Sequence, residues 1–120
     1  MRIFTRNGTS VAVIDSARKL TDPQDFLDLM AEAWVHGQCT GMVIDKASLG
    51  DGFFDLKNGL AGEILQKFSN YRMKLAIVGD FSGYRSKSLR DFIGECNRGS
   101  LIFFEDNEEA ALNALMPGDR

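Results

Sequence analysis

The fold of this chain is decided by the stretch KLAIVGD at residues 74–80. Its first five residues form a nearly continuous apolar run instead of alternating apolar and polar side chains. Such a run is typical of a strand covered on both faces, as in a parallel sheet that carries helices. Further short apolar runs at residues 39–44 and 101–104 repeat the pattern. We therefore expect a sheet of mainly parallel strands.

A helix is predicted before these strands by apolar residues spaced three and four positions apart. Asp22 is expected to cap this helix, Pro23 to fill its first position, and His36-Gly37 to close it. Its predicted apolar face consists of Phe26, Leu29, Met30, Ala33 and Trp34.

Three further helices follow the same periodicity. The second is predicted from Leu56 and is expected to stop near Asn70-Tyr71. The third is predicted over residues 86–96, with Gly99 closing it in the left-handed conformation. The fourth is expected to begin at an Asp106 cap and to end at Pro117-Gly118.

Asn7-Gly8 stands between two β-type runs and predicts an N-terminal hairpin, because both central residues of a type I′ turn need a positive φ. The complete order is hairpin, helix, strand, helix, strand, helix, strand, helix. It predicts a single α/β domain over residues 1–120, with a mainly parallel sheet of four to five strands, an N-terminal hairpin and about four helices.

The composition is that of a folded, soluble domain. Hydrophobic residues make up 44% of the 120 residues, and 17 acidic against 14 basic residues give a net charge of −3. This excludes a disordered chain and lacks the basic footprint of a nucleic-acid-binding protein. No apolar run approaches the roughly 18 residues of a membrane span, and no signal peptide is evident. We expect a cytoplasmic protein that binds neither nucleic acid nor membranes.

The few cysteine and histidine residues argue against nucleophilic catalysis. Cys39 and Cys96 form neither a C-x-x-C pair nor a metal-ligand spacing, and we interpret both as reduced packing residues. His36 is the single histidine and is expected at the C-terminus of the first helix, where the helix dipole stabilises it. A Ser-His or Cys-His dyad would have to use this residue.

Each predicted parallel strand ends in an acidic residue, namely Asp15, Asp45, Asp80 and the pair Glu105-Asp106. Parallel strands bring their carboxyl ends to one edge of the sheet, where ligands of open α/β sheets bind. Carboxylates there could hold a hard cation such as Mg²⁺. The alternative is that the aspartates are ordinary caps and turn residues. Asp45 and Asp80 are the best candidates for a metal or ligand site because neither is an evident cap.

Phe53 and Phe54 are adjacent aromatic residues in a loop rich in Gly and Asp, and both cannot easily point into one core. At least one is expected to cover the sheet edge, line a pocket or contact another chain. Gly59 and Gly62 fall inside the predicted second helix, where glycine lowers helix stability relative to alanine. A close approach of the helix to the sheet, to a second chain or to a ligand would explain why glycine is present. These four residues together predict a homodimer. The alternative is that they pack only against their own sheet.

The loop before the third helix is a candidate anion site. A helix N-terminus presents free N–H groups to anions, and Arg85 and Lys87 could pair with a phosphate or carboxylate. Alternatively, Ser86 or Ser88 is simply the helix cap. No G-x-G-x-x-G or G-x-x-x-x-G-K-[ST] motif is present. The complete set of candidate ligand-binding residues is Asp45, Phe53, Phe54, Asp80, Tyr84, Arg85, Ser86 and Lys87.

Several runs in this sequence resemble a known family. They are IDK at residues 44–46, FFDLKNGLAGEILQKFSNYR at 53–72, KLAIVGDFS at 74–82, SKSL at 86–89 and NRG at 97–99. Together they closely resemble the bacterial domain-of-unknown-function family 4180 over nearly the whole chain. The resemblance implies no particular activity, cofactor or catalytic residue.

The element order is also similar to that of the sulphate-transporter and anti-sigma-factor-antagonist domain, which opens with a hairpin-like pair of strands. In the antagonist proteins a phosphorylatable serine stands at the start of the second helix. Residues 50–55 offer only glycine, acidic or apolar side chains at the corresponding place, and Ser48 lies several residues earlier. The resemblance therefore does not extend to a phosphoserine switch.

Two functions are compatible with these patterns. The first is a non-enzymatic regulatory module of the anti-sigma-factor-antagonist type that binds a protein partner or a small anionic ligand. The second is a small divalent-metal-dependent enzyme that uses Asp45 and Asp80. The first is favoured because the sequence offers no usable histidine, no phosphate loop and no strong metal-ligand spacing.

Overall fold

A computed structural model describes residues 1–117. Its main elements, in chain order, are β1 (Arg2–Arg6), β2 (Thr9–Val13), α1 (Pro23–Gly37), β3 (Gly41–Asp45), α2 (Leu60–Asn70), β4 (Lys74–Val78), α3 (Lys87–Arg98), β5 (Ile102–Glu105) and α4 (Glu108–Leu115). Three short 3₁₀ turns connect β3 to α2, at Lys46–Ser48, Asp51–Phe54 and Leu56–Asn58. Among the described residues, no helix is long and apolar enough to cross a membrane.

The five strands form one sheet in the order β1-β2-β3-β4-β5. β1 runs antiparallel to β2, and the other neighbouring pairs are parallel. The hairpin turns at Asn7 and Gly8, whose φ angles of 54° and 83° are those that a type I′ turn needs. The predicted α/β fold with its hairpin, mainly parallel sheet and four helices is confirmed.

The sheet is buried on both faces. Because consecutive parallel strands are neighbours and their crossovers share one hand, the three crossover helices α1, α2 and α3 lie on the same face. The strand residues that point to these helices are Ala12, Ile14, Met42, Ile44, Leu75 and Ile77. α4 packs on the opposite face, where Ala111 and Leu115 contact Val11, Val13, Val43 and Ala76.

The starts of α1 and α3 agree with the sequence. Asp22 caps α1, forms a capping box with Asp25, and precedes Pro23 in the first turn. Ser86 caps α3 by accepting the N–H of Leu89 at 3.2 Å. Cys39 and Cys96 are both free thiols, as predicted, and Cys39 is fully buried.

The second helix begins later than predicted, so Gly59 does not lie inside it. Residues Leu56–Asn58 form a separate 3₁₀ turn, and Gly59 follows as the N-cap of α2 with a φ of 75°. Gly62 lies in the first turn of α2 and is exposed. A Cβ built on either glycine would meet no neighbouring atom within 4 Å. Neither glycine therefore marks a close approach of α2 to the sheet, and approach of a second chain at these positions stays a prediction.

Three smaller predictions also need correction. Trp34 is 56% exposed because it lies about 80° around α1 from Phe26, at the margin of the apolar stripe. Asn107, instead of Asp106, caps α4 by accepting the N–H of Ala110 at 2.8 Å, since β5 continues through Glu105. Gly99 ends α3 in an extended conformation, with φ −87° and ψ −165°. Gly118, predicted to help end the fourth helix, lies outside the described residues.

Candidate functional site

The carboxyl ends of β2, β3 and β4 lie at one edge of the sheet. The parallel register pairs Asp45 with Val78, and Asp15 and Asp80 follow their own strands at the same edge. Asp45 and Asp80 both line a surface cavity of about 450 Å³, which we call the edge cavity. Asp15 and Asp45 line a neighbouring cavity of about 440 Å³. The predicted juxtaposition of the three aspartates is thus present, with Asp45 facing both cavities.

The three aspartates share a local structural role. Each carboxylate accepts the N–H of the residue two positions on, so the pairs are Asp15 with Ala17 at 2.8 Å, Asp45 with Ala47 at 2.8 Å, and Asp80 with Ser82 at 2.9 Å. This side-chain turn directs the chain away from the sheet at three consecutive strand ends. Asp45 is in addition the N-cap of the 3₁₀ turn Lys46–Ser48, which corrects the expectation that it is not a cap, whereas Asp80 caps none of the described helices. Turn formation explains part of the acidic pattern.

Asp80 is also held in its charged form. The Ser82 hydroxyl donates to its carboxylate at 2.6 Å, and this bond is the main cause that lowers the pKa of Asp80. The N–H of Ser82 and, more weakly, the Lys46 ammonium lower the same pKa further. Asp80 therefore presents a negative charge to the edge cavity at neutral pH.

The metal prediction rests on Asp45 and Asp80 as a pair. Within residues 1–117, the structure brings together no group of three or more His, Cys, Asp or Glu side chains that could hold a metal ion. Mg²⁺ takes six oxygen ligands in near-octahedral geometry and often keeps several waters. Two carboxylates would leave most positions to water or to a ligand. A Mg²⁺ site at this pair stays a prediction.

Three aromatic rings cluster beside the edge cavity. Phe54 stacks on Tyr84 with 5.2 Å between ring centroids, and Phe81 lies 6.1 Å from Phe54 and 6.4 Å from Tyr84. All three side chains are half-buried, and Phe54 itself lines the cavity. We call Phe54, Phe81 and Tyr84 the aromatic cage.

The ammonium group of Lys46 lies against one side of the aromatic cage. Its Nζ is 4.6 Å from the centroid of Tyr84, 5.7 Å from Phe81 and 6.0 Å from Phe54. The same Nζ donates to the backbone carbonyl of Asp80 at 2.9 Å. These are cation–π distances, so the edge of the sheet contains an ammonium group held by three rings.

Gly79 leaves the space through which the Lys46 side chain passes. A Cβ built on Gly79 would lie 2.7 Å from Lys46 Cβ and 3.1 Å from Lys46 Cδ. Any larger residue at position 79 would therefore displace the stem of Lys46.

Phe53 and Phe54 point in different directions, as the sequence requires. Phe53 is only 3% exposed and belongs to the main core, whereas Phe54 lines the edge cavity. Phe53 instead lines a separate cavity of about 130 Å³, and its assignment as a ligand-binding residue stays a prediction. The exposed aromatic pair on which the predicted homodimer interface depended is absent at this place.

The loop at residues 84–87 divides its candidate residues among several tasks. Tyr84 belongs to the aromatic cage, and Ser86 is the cap of α3. Lys87 pairs with Asp91 on its own helix at 2.7 Å, and this contact raises the pKa of Lys87. Arg85 is exposed. Because Lys87 pairs with Asp91, Arg85 is the one proposed basic residue of the anion site that forms no such ion pair in the described residues.

A second surface feature lies on the outer side of α1. Leu27, Ala31 and Trp34 line an apolar groove of about 680 Å³ together with Tyr71 and Met73 of the turn between α2 and β4. Trp34 is 56% and Tyr71 67% exposed. This groove is far more apolar than the edge cavity, whose lining includes three aspartates.

Lys46 and Phe81 were not among the candidate residues chosen from the sequence. The same reasoning that selected the aspartates could have found them, since Lys46 follows Asp45 directly after β3 and Phe81 follows Asp80 shortly after β4. His36 lies in the last turn of α1, as expected.

Comparisons with known proteins give one assignment. No curated protein matches the chain significantly. No solved structure does so either, and the resemblance to the sulphate-transporter and anti-sigma-factor-antagonist fold stays a prediction. A family model described as domain of unknown function (DUF4180) matches residues 6–115. Because this match spans most of the sequence and all of the parallel sheet, the chain belongs to the DUF4180 family.

Proposed function

We propose that this protein is a binding module for a small ligand, and that its site is the edge cavity together with the aromatic cage. The observation that carries the proposal is the cluster of Phe54, Phe81 and Tyr84 around Lys46 at the carboxyl ends of β3 and β4. Ligands of open α/β sheets bind at this edge. Small-molecule sites also combine aromatic walls with a few well-placed polar groups.

Nuclear magnetic resonance spectra of ¹⁵N-labelled protein titrated with small fragments test this function. The fragments should include amines, carboxylates and neutral aromatic compounds. We expect bound fragments to shift the backbone amides of Ala47 and Gly79, which line the cavity, and that of Ser82, which donates to the Asp80 carboxylate. Phe54→Ala should weaken these shifts, while Trp34→Ala in the distant groove should leave them unchanged. Shifts confined to the α1 groove, or binding that survives Phe54→Ala, would contradict the proposal.

A metal-dependent enzyme remains the alternative function for the same edge. It would bind Mg²⁺ or Mn²⁺ between Asp45 and Asp80, and binding to the native state alone would raise the melting temperature. Millimolar metal that stabilises the wild type but not Asp45→Asn would favour the enzyme. The binding-module proposal predicts equal effects on both proteins.

We also propose that the protein self-associates through the α1 groove, which offers exposed apolar side chains where the buried Phe53 does not. Asp28 lies in the groove lining, and the exposed Arg72 stands between its opposite-wall residues Tyr71 and Met73. A twofold contact presents the same surface on both copies. It can therefore place Asp28 of one copy opposite Arg72 of the other copy, with the apolar side chains of the two grooves between them.

A further inference from the structure

We propose that the aromatic cage is a site for the alkylammonium group of an organic cation, and that Lys46 occupies it as an internal competitor until the ligand displaces it. This inference rests on the proposed function because it uses the same cavity. It adds the chemical class of the ligand and a means of controlling its access.

The first observation is that the cage already holds an ammonium group. An aromatic ring attracts a cation over its face through its quadrupole, and the three rings, which stack on one another, lie together on one side of the Lys46 ammonium group. Lys46 Nζ lies within 6.0 Å of three ring centroids. This side of the ring cluster therefore already accepts a positively charged nitrogen, and an incoming alkylammonium group would take the position of Nζ, nearest to Tyr84.

The charge of the edge cavity points to the same class of ligand. Its charged lining residues are Asp45, Asp51, Asp80 and Lys46, so carboxylates outnumber the single ammonium by two. This excess repels a phosphate or carboxylate and attracts a cation. The small anionic ligand expected from the sequence fits this cavity poorly.

Lys46 and Phe54 both line the edge cavity, whereas Phe81 and Tyr84 do not belong to its lining. The Lys46 side chain passes Gly79 in close contact and ends against Tyr84. If the ammonium group of Lys46 swings out to solvent, the ring surface that it contacted becomes free beside Phe54. One cation then replaces another, and the net charge at the rings is unchanged.

Titration of tetramethylammonium chloride at constant ionic strength tests the proposal, with wild type and Lys46→Ala compared by chemical shifts of the Gly79 and Ser82 amides. Lys46→Ala vacates the cage and should bind tetramethylammonium about tenfold more tightly than the wild type. Adding Tyr84→Leu to Lys46→Ala should remove most of that gain. Neutral tert-butanol has a similar shape and should bind more weakly than the cation.

The proposal is overturned if Lys46→Ala binds tetramethylammonium no more tightly than the wild type, or if tert-butanol binds equally well. Lys46→Met keeps the stem without the charge and replaces Lys46→Ala if the latter does not fold. Its affinity should then exceed that of the wild type, and equal affinity overturns the proposal. If other fragments bind the edge cavity while tetramethylammonium does not, the ligand class fails and the proposed function stands. If nothing binds there, both fail.

Two further probes identify the source of the alkylammonium group. Choline represents a free small molecule, and a short peptide with one trimethyllysine represents a protein partner. Tighter binding of either by Lys46→Ala than by the wild type supports the proposal, and the tighter of the two shows which source the cavity fits.

Discussion

At the scale of the single residue, Lys46 connects the strand ends to the aromatic side chains. Its Nζ bonds the Asp80 carbonyl and contacts three rings, while its stem depends on the absence of a side chain at Gly79. A lysine that only covered the surface would keep its ammonium group in water. The contacts of Lys46 therefore contribute to stability as well as to the proposed site.

Replacing Lys46 by Met should lower the free energy of unfolding by about 1–2 kcal/mol, since both the cation–π contacts and the carbonyl bond are lost. Lys19 offers a matched control because its Nζ also donates to a backbone carbonyl, that of Ala47, at 2.8 Å. Lys19→Met should cost clearly less. Urea denaturation of the three proteins measures both effects, and equal costs would show that the rings contribute nothing.

The carboxylate of Asp80 should make stability depend on acid. Its pKa is lowered in the folded protein by Ser82, so its stabilising contribution is present above the unfolded pKa of about 4 and is lost as the pH falls through the lower folded value. In Asp80→Asn the free energy of unfolding should therefore fall less steeply as the pH is lowered below about 4. Ser82→Ala should reduce the steepness in part. An unchanged steepness in Asp80→Asn would contradict this assignment.

At the scale of the elements, some helix and turn boundaries could be predicted from the residues at the boundary, and others could not. The Asp22-Pro23 start of α1 and the Asn7-Gly8 turn follow from the conformations those residues prefer. The start of α2 could not be predicted from apolar spacing, because Leu56 has helical spacing but belongs to a separate 3₁₀ turn. The positive φ of Gly59 then separates that turn from the helix.

Alanine substitutions at Gly59 and Gly62 should have opposite effects on stability. Gly59→Ala forces a residue with a Cβ into a φ of 75° and should destabilise the protein by about 1 kcal/mol. Gly62→Ala lies in an open helical position and should stabilise it by about 0.5–1 kcal/mol. Thermal and urea unfolding measure both changes. Effects of the same sign would mean that the two glycines share one environment.

At the scale of the whole molecule, the topology explains what could be predicted about the site. Parallel strands must bring Asp15, Asp45 and Asp80 to one edge, so their proximity followed from the sequence. The aromatic cage could not be predicted in this way, because it depends on how the connections at residues 46–59 and 79–86 fold over that edge. Phe53 and Phe54 show the difficulty, since adjacent residues of equal hydrophobicity have separate roles.

The position of a twofold interface is also a property of the whole molecule. If the α1 groove is a twofold interface, the wild type should sediment as a dimer at micromolar concentration, and Trp34→Ser should shift it towards the monomer by removing a large aromatic contact. Phe53→Ser is unsuitable because it would open the core. A monomeric wild type would exclude this interface, and a Trp34→Ser variant that remains fully dimeric would place the interface elsewhere.

Binding of an alkylammonium group at the edge cavity and the aromatic cage would require Lys46 to leave its place against the rings. A crystal structure of the wild type grown with tetramethylammonium tests this binding most directly. We expect density for the cation against Phe54 and Tyr84, with Lys46 Nζ moved away from the ring that it contacts at 4.6 Å in the free protein. Density for the cation only outside the edge cavity, with Lys46 still held by the three rings, would contradict the account.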